Sequence, residues 1–300
     1  HHGSGTAAIS IKGVKVTKDN LLGDNWLTIR DKKQRNKGEK IYPIGSEIIG
    51  KTLEAGRISI SSIALGSQWA TLEELVKVYE ARYIQLNEVE RKKWKRAVDD
   101  LTADYYAGLN LIFEVARMKD KKQNYNLQAA VLKMTTTEAA VRNTMRAMRL
   151  IGKDAIHPKS RLWRIFRDNK LLTIGEGTTQ IMREIIAKEL RRRYKESKGL
   201  TVIQLLKLAI EDKELIASEN KDSIQKMFND YENAATPKLK EVVQWQMIDM
   251  FAMALTLKIF DDGANVQSIS SLENYTERFS FMIYGLRNDV DLLRHFDGIS

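Results

Sequence analysis

The chain has 300 residues, with 49 Lys plus Arg against 39 Asp plus Glu, a net charge of +10, no cysteine, three prolines and 43% hydrophobic residues. That apolar content suffices for one or two packed cores, while the lack of cysteine excludes disulfides, thiolate zinc sites, iron–sulfur clusters and cysteine nucleophiles. His1 and His2 open a run at residues 1–5 that reads as an expression-tag remnant; His157 and His295 are too few for a histidine metal centre, so no metal is expected, and no apolar run reaches the ~18 residues of a membrane span.

Residues 8–23 predict β structure, with Ile9, Ile11, Val14 and Val16 in broken alternation around Gly13. One or two strands are not stable alone, so they belong to a larger sheet mostly outside this chain. Residues 30–40 carry six basic side chains in eleven and read as an exposed loop. From Ser46 the pattern is helical: Ile58, Leu65, Trp69, Leu72, Val76 and Tyr79 recur near every 3.6 residues. Asn87 with Glu90 is a capping box for a second helix with Trp94, Val98, Leu101, Tyr105, Ile112 and Val115 on one face. The polar run 119–126 breaks it. A third helix carries Leu127, Val131, Met134, Val141, Met145 and Met148, followed by a loop with Gly152 and Pro158 and a short helix near 161–167. Thr178 or Thr179 caps another helix that ends in Arg191, Arg192 and Arg193, as suits a helix C-terminus.

Gly199 marks a boundary in charge as well as pattern. Residues 1–200 hold 39 basic and 23 acidic side chains, or +16; residues 201–300 hold 10 and 16, or −6. The basic part favours polyanions such as nucleic acid, acidic lipid or phosphate-bearing cofactors, or is simply a solvated lysine-rich surface. Beyond the boundary, helices are expected at 201–216, 221–234, 237–261 and 271–294, from the start signals Thr201 with Gln204, Thr236 before Pro237, and Ser270 with Glu273. Met247, Met250 and Met253 read as core packing.

The segment from Arg167 to Ile181 places Glu176 between Gly175 and Gly177, just before a helix. A carboxylate on such a tight loop is favoured as an anion by nearby helix N–H groups, and burial against an apolar ligand would raise its pKa and make it a usable base. The alternative is an ordinary acidic residue at a helix start. The segment resembles the Arg-Asp-x-Lys-x-x-x-Ile-x-Glu-Gly-Thr-x-x-Ile signature of the acyl-CoA dehydrogenases, without a gap. Arg57, Gly66, Tyr79, Gln85, Ala130, Lys133, Glu138, Ala139 and Ala147 also match family positions. Residues 14–23 resemble the last strand of the family's middle β-domain. The resemblance covers residues 8–195 in family order.

It implies an all-α fold: an up-down four-helix bundle with a short β-strand remnant and a second helical domain. The corresponding layout is 1–5 tag remnant, 6–45 end of the middle β-domain plus the basic loop, 46–198 bundle, and 199–300 C-terminal helical extension. The extension resembles that of the very-long-chain type. The family is FAD-dependent: a glutamate takes the α proton of an acyl-CoA thioester while the flavin takes the β hydride, giving a trans-2-enoyl-CoA. By position Glu176 is that base. Where some members carry the base before the helix-opening arginine, this chain has Gly56. Arg57 and Gly177 match substrate-binding positions. Thr178 and Gln180 match FAD contacts, and Gln85 and Gly152 match further FAD contacts made across a dimer. The implied partners are acyl-CoA, a second copy in a homodimer, an electron-transfer flavoprotein or similar acceptor, and a peripheral membrane surface. The implied location is intracellular: the mitochondrial matrix or inner-membrane face in a eukaryote, the cytoplasm in a bacterium.

The departures from the pattern lie in the flavin pocket. Tyr83 takes the place of a family arginine, with Arg82 one position off; Leu86 and Asn87 replace Phe-Gly; Arg149 replaces a glutamine; Lys153 and Ala155 replace glycines; Gly175 replaces an aromatic. The chain lacks the family's amino-terminal helical domain and most of its β-domain, so it reads as a fragment that is inactive alone. A scaffold or assembly protein that has lost flavin is the alternative function. Nucleic-acid binding is set aside because the aromatics near 91–96 and 161–167 are expected in the core.

Overall fold

The computed structural model describes residues 7–17, 20, 44–194, 199–213, 215–216, 221–222, 224–226, 229, 237–263 and 271–277. Two compact units divide the chain, residues 1–56 and 57–300. In the first, residues 7–17 contain no strand, and Ile9, Ile11, Val14 and Val16 are exposed. The β-strand remnant expected there therefore does not form among the described residues, since a strand needs a sheet to satisfy its backbone groups. The basic loop at 30–40 lies outside the described residues.

Helix α1 spans Ile44–Arg82, α2 Glu88–Asp120, α3 Asn126–Ile151, α4 Arg161–Leu172, α5 Thr179–Arg193, α6 Val202–Glu211 and α7 Pro237–Gly263. Every regular element among the described residues is helical, as expected. Local signals set the starts. Asn87 Oδ1 accepts from Glu90 N while Glu90 Oε2 accepts from Asn87 N, both at 2.9 Å. Thr178 caps α5, and Thr201 with Gln204 forms the capping box of α6. Asn87→Ala is expected to lower stability by about 1 kcal/mol, read as a shifted midpoint in urea with an unchanged slope.

Ends depend on packing. Helix α4 runs five residues beyond the expected 161–167 because Asn169 and Leu172 are buried: Asn169 Nδ2 donates to Ala140 O at 3.1 Å and Thr144 Oγ1 at 3.0 Å, and its Oδ1 accepts from Ser67 Oγ at 2.5 Å. This one side chain ties α1, α3 and α4. Helix α6 stops at Glu211, short of the expected 216, because Asp212 leaves helical backbone and takes hydrogen bonds from Arg193 at 2.7 Å and Tyr194 at 3.0 Å. Of the helices expected at 221–234 and 271–294, only 221–222, 224–226, 229 and 271–277 fall within the described residues.

The main core joins Leu111, Val131, Met182, Ile186, Leu206, Met250, Phe251 and Phe260, from α2, α3, α5, α6 and α7. The helices after Gly199 thus share apolar packing with the bundle. Met247 and Met250 are buried and Met253 packs beside them, as their spacing predicts. Gly108 permits a close approach: a Cβ there would lie 2.7 Å from Leu65 and 2.9 Å from Thr136. Arg183 on α5 holds Asp249 on α7 through two bonds of 2.7 and 2.6 Å. A second core cluster packs Leu75, Trp94, Leu101, Ala147 and Leu162 at the other end of α2 and α3.

Two aromatic expectations differ from the structure. Trp69 is 45% exposed, because its indole N–H donates to Glu73 at the surface while its ring leans on Tyr105. Trp163 and Phe166 are half-buried rather than core; they stack on each other beneath Arg167 and Lys170. Trp94 is buried as expected.

Candidate active-site loop

The loop between α4 and α5, residues 173–178, carries Glu176. Helix α4 ends with Ile174 N and Gly175 N both donating to Leu171 O, at 3.0 and 2.9 Å. The chain then turns left-handed: Glu176 has φ 58° and Gly177 φ 103°. A non-glycine residue there costs about 1–2 kcal/mol, and such strain persists only where the surroundings enforce it. Thr178 Oγ1 accepts from Ile181 N at 3.3 Å and starts α5.

Lys133 lies below this loop. Its side chain is fully buried at 0% exposure, and its Nζ donates to Thr173 O at 2.8 Å and Gly177 O at 2.6 Å. Burial in an apolar setting pushes the lysine down from 10.5 to about 8; Glu138 and Glu176 oppose that fall and Arg57 adds to it. Next to it, Thr179 Oγ1 donates to Glu138 Oε1 at 2.5 Å. The loop is therefore braced from α3 at both ends.

Glu176 is half-buried. Its surroundings in the chain are aliphatic and open: Ile174 is 58% exposed and Ile181 43%. A Cβ on Gly175 would sit 2.7 Å from Ile60 Cδ1 of α1, so the absent side chain leaves room that Ile60 approaches. The structure presents a carboxylate in a fixed backbone conformation beside an exposed aliphatic surface.

Gly177, Thr178 and Gln180 accompany Glu176 at this end. Thr178 is exposed, and Gln180 is half-buried with its Oε1 3.4 Å from Arg183. Arg57 lies within the helical layer: it is 4% exposed and donates to Asn126 Oδ1 at 2.7 Å, while Asn126 Nδ2 donates to Glu189 at 2.8 Å. Its guanidinium thus links α1, α3 and α5.

Gln85 and Gly152 occupy the opposite end of the bundle. Gln85 closes the 3-10 turn Tyr83–Gln85 after α1, and Gly152 caps α3 with φ 81°. Arg82 brings the two turns together by donating to Ile151 O at 3.0 Å and Asp154 Oδ2 at 2.9 Å. The helix from Lys133 to Gly152 is about 28 Å long at roughly 1.5 Å per residue, so the two groups of expected cofactor residues are far apart within one chain. A cavity of about 220 Å³ lies among α2, α3, α5 and α7, lined by Met134, Glu138, Arg142, Thr179, Arg183 and Met253 among others.

Lys133 matched a family position in sequence but was not among the expected site residues. The signal for it was present: Ala129, Ala130, Thr136, Thr137 and Ala140 share its helix face. A lysine on such a face must find buried acceptors.

Comparison with known proteins agrees with this architecture. Residues 44–191 match the family of the acyl-CoA dehydrogenase C-terminal domain. The rat mitochondrial short-chain specific acyl-CoA dehydrogenase is 29% identical over 64% of this chain and 43% of its own length. A probable acyl-CoA dehydrogenase of Bacillus subtilis (strain 168) is 30% identical over 63% of this chain and 45% of its own length. This chain therefore spans less than half the length of these curated relatives. An acyl-CoA dehydrogenase from Bacillus anthracis, solved with FAD, shares the fold over 82% of this chain and 51% of its own, with a TM-score of 0.54 and 14% identity. That coverage extends beyond the matched domain into the helices after Gly199. Over residues 44–191 the chain is the C-terminal helical domain of the acyl-CoA dehydrogenases.

Proposed function

We propose that this chain supplies the base-bearing helical domain of an FAD-dependent acyl-CoA dehydrogenase, with Glu176 removing the α proton of a fatty acyl-CoA. The observation that carries the reading is the loop: a glutamate in left-handed backbone, locked from below and placed beside exposed aliphatic side chains. Covering that surface with an acyl chain would exclude water and disfavour the carboxylate anion, which strengthens it as a base. Arg57 serves this site by fixing α1 against α3 and α5, and Gly177 by allowing the turn.

The residues fit a dinucleotide in two halves. At one end, the N-terminus of α5 offers unpaired N–H groups to an anion, with the Thr178 hydroxyl free to donate while its oxygen accepts from Ile181 N. At the other end, Gly152 has open space where a Cβ would be, with Arg149 and Lys153 as neighbours in the chain. The flavin, when bound, supplies the hydride acceptor. Thr178 and Gln180 would hold it in one protomer, and Gln85 and Gly152 of a second copy would complete the site, because about 28 Å of helix separates the two groups. The acceptor for its electrons would be an electron-transfer flavoprotein or a similar carrier. The very-long-chain type rests on the helices after Gly199, and a chain-length profile of turnover decides it.

The test uses the full-length product of the gene. Bound FAD with its visible absorption bands, and formation of trans-2-enoyl-CoA from acyl-CoA, are expected. A full-length product that purifies colourless and stays apo in excess FAD would overturn the proposal. The 300-residue chain itself is expected to show no turnover with FAD and acyl-CoA.

A non-catalytic scaffold is the second reading, favoured by one observation: Arg57 is buried and bonded to Asn126 rather than displayed toward the surface beside Glu176. A colourless full-length product that recovers a stable protein partner would support it.

A further inference from the structure

We propose that Lys133 is a positioning residue for Glu176, holding the two carbonyls that bracket the carboxylate and thereby fixing the turn that presents it. The inference rests on the reading of Glu176 as the base. The Thr173 carbonyl belongs to the end of α4, where a helix has no partners for its last C=O groups. The Gly177 carbonyl immediately precedes the cap of α5. Both accept from a side chain with 0% exposure, so removing the lysine would strip each carbonyl of this donor. Between them the backbone holds Glu176 at φ 58°, a state that needs enforcement. The N–H groups of Ile174 and Gly175 secure only the first half of the loop, through Leu171 O. Among the described residues, Lys133 is the side chain that spans from Thr173 to Gly177. The charged groups that act on it are Glu138 on its own helix, Arg57 from α1 and Glu176 from the loop.

The test has two arms. In the 300-residue chain, amide hydrogen exchange of residues 174–178 is measured in wild type, Lys133→Met and Lys133→Arg. Met keeps a linear apolar chain but no donor; Arg restores donors. Exchange is expected to accelerate at least tenfold in Lys133→Met, with the α2 amides unchanged, and to return to within threefold of wild type in Lys133→Arg. Loop exchange within twofold of wild type in Lys133→Met, or no recovery in Lys133→Arg, overturns the inference. Should Lys133→Met not fold, Lys133→Gln, whose shorter side chain falls short of spanning both carbonyls, takes its place with the same tenfold acceleration expected and the same outcome overturning the inference.

In the full-length gene product, Lys133→Met is expected to lower kcat at least tenfold while KM moves less than threefold, a split that loss of packing alone would not give. A kcat within twofold of wild type defeats the positioning role and leaves the flavoenzyme reading standing. A full-length product without any dehydrogenase turnover defeats the flavoenzyme reading, and the exchange comparison still decides whether Lys133 holds the loop.

Discussion

Replacing Glu176 by Gln is expected to lower turnover of the full-length gene product by roughly 10²–10⁴-fold, the usual contribution of a positioned general base, without loss of flavin or of folded protein. Glutamine has the same shape and the same cost at positive φ, so the loop geometry survives and only the ability to take a proton is lost. Glu176→Gly goes further. Glycine adopts φ 58° without the Cβ clash that a glutamate suffers there. That variant should lose activity to the same degree while gaining stability of about 1 kcal/mol, less whatever the extra freedom of glycine costs the folded state. An inactive but more stable variant would mean that the strain at this position is kept for chemistry. If Glu176→Gln turns over like wild type, the base lies elsewhere and the functional reading fails; if both variants bind a protein partner unchanged and neither parent nor variant turns over, the scaffold reading gains.

Glu176 was legible in the sequence because the signals around it are local. Two glycines, a threonine cap and the run back to Arg167 lie within fifteen positions, and caps such as Asn87 with Glu90 are similarly short-range. What enforces the loop was less legible. Lys133 lies forty residues from Thr173 in sequence, and only the small residues on its helix face hint that it is buried. Asn169 reads as the variable position of a motif, yet it joins three helices. The surface aromatics were misplaced for a related reason: Trp163 and Phe166 fit a helical apolar pattern, but they stack on each other with a cation above each ring. Periodicity reveals an apolar stripe, not whether its partner is another helix or a lysine. The alternation at residues 9–16 shows the same limit, since the pattern is present and no strand forms among the described residues there.

The buried lysine also makes stability depend on pH in a direction that can be worked out. In the folded chain Lys133 titrates at about 8, against 10.5 for a free lysine, because burial penalises the ammonium. The unfolded state therefore binds more protons between those two values, and stability rises with pH there. Relative to Lys133→Met, wild type should gain about 1.4 kcal/mol per pH unit from pH 8 upward, to a ceiling of about 3 kcal/mol above pH 10.5, and lose that gain as pH falls through 8. Comparing the two chains at each pH cancels the other titrating groups. Loss of the proton does not cost the loop its anchors: an ammonium has three N–H donors and the neutral amine keeps two, as many as the carbonyls of Thr173 and Gly177 require. Urea unfolding of both chains at pH 7, 8, 9 and 10 measures the difference. A flat difference across that range would mean that Lys133 is not desolvated in the folded chain. A difference that moves against wild type on the alkaline side would mean that the charge, and not the two hydrogen bonds, is what holds the turn.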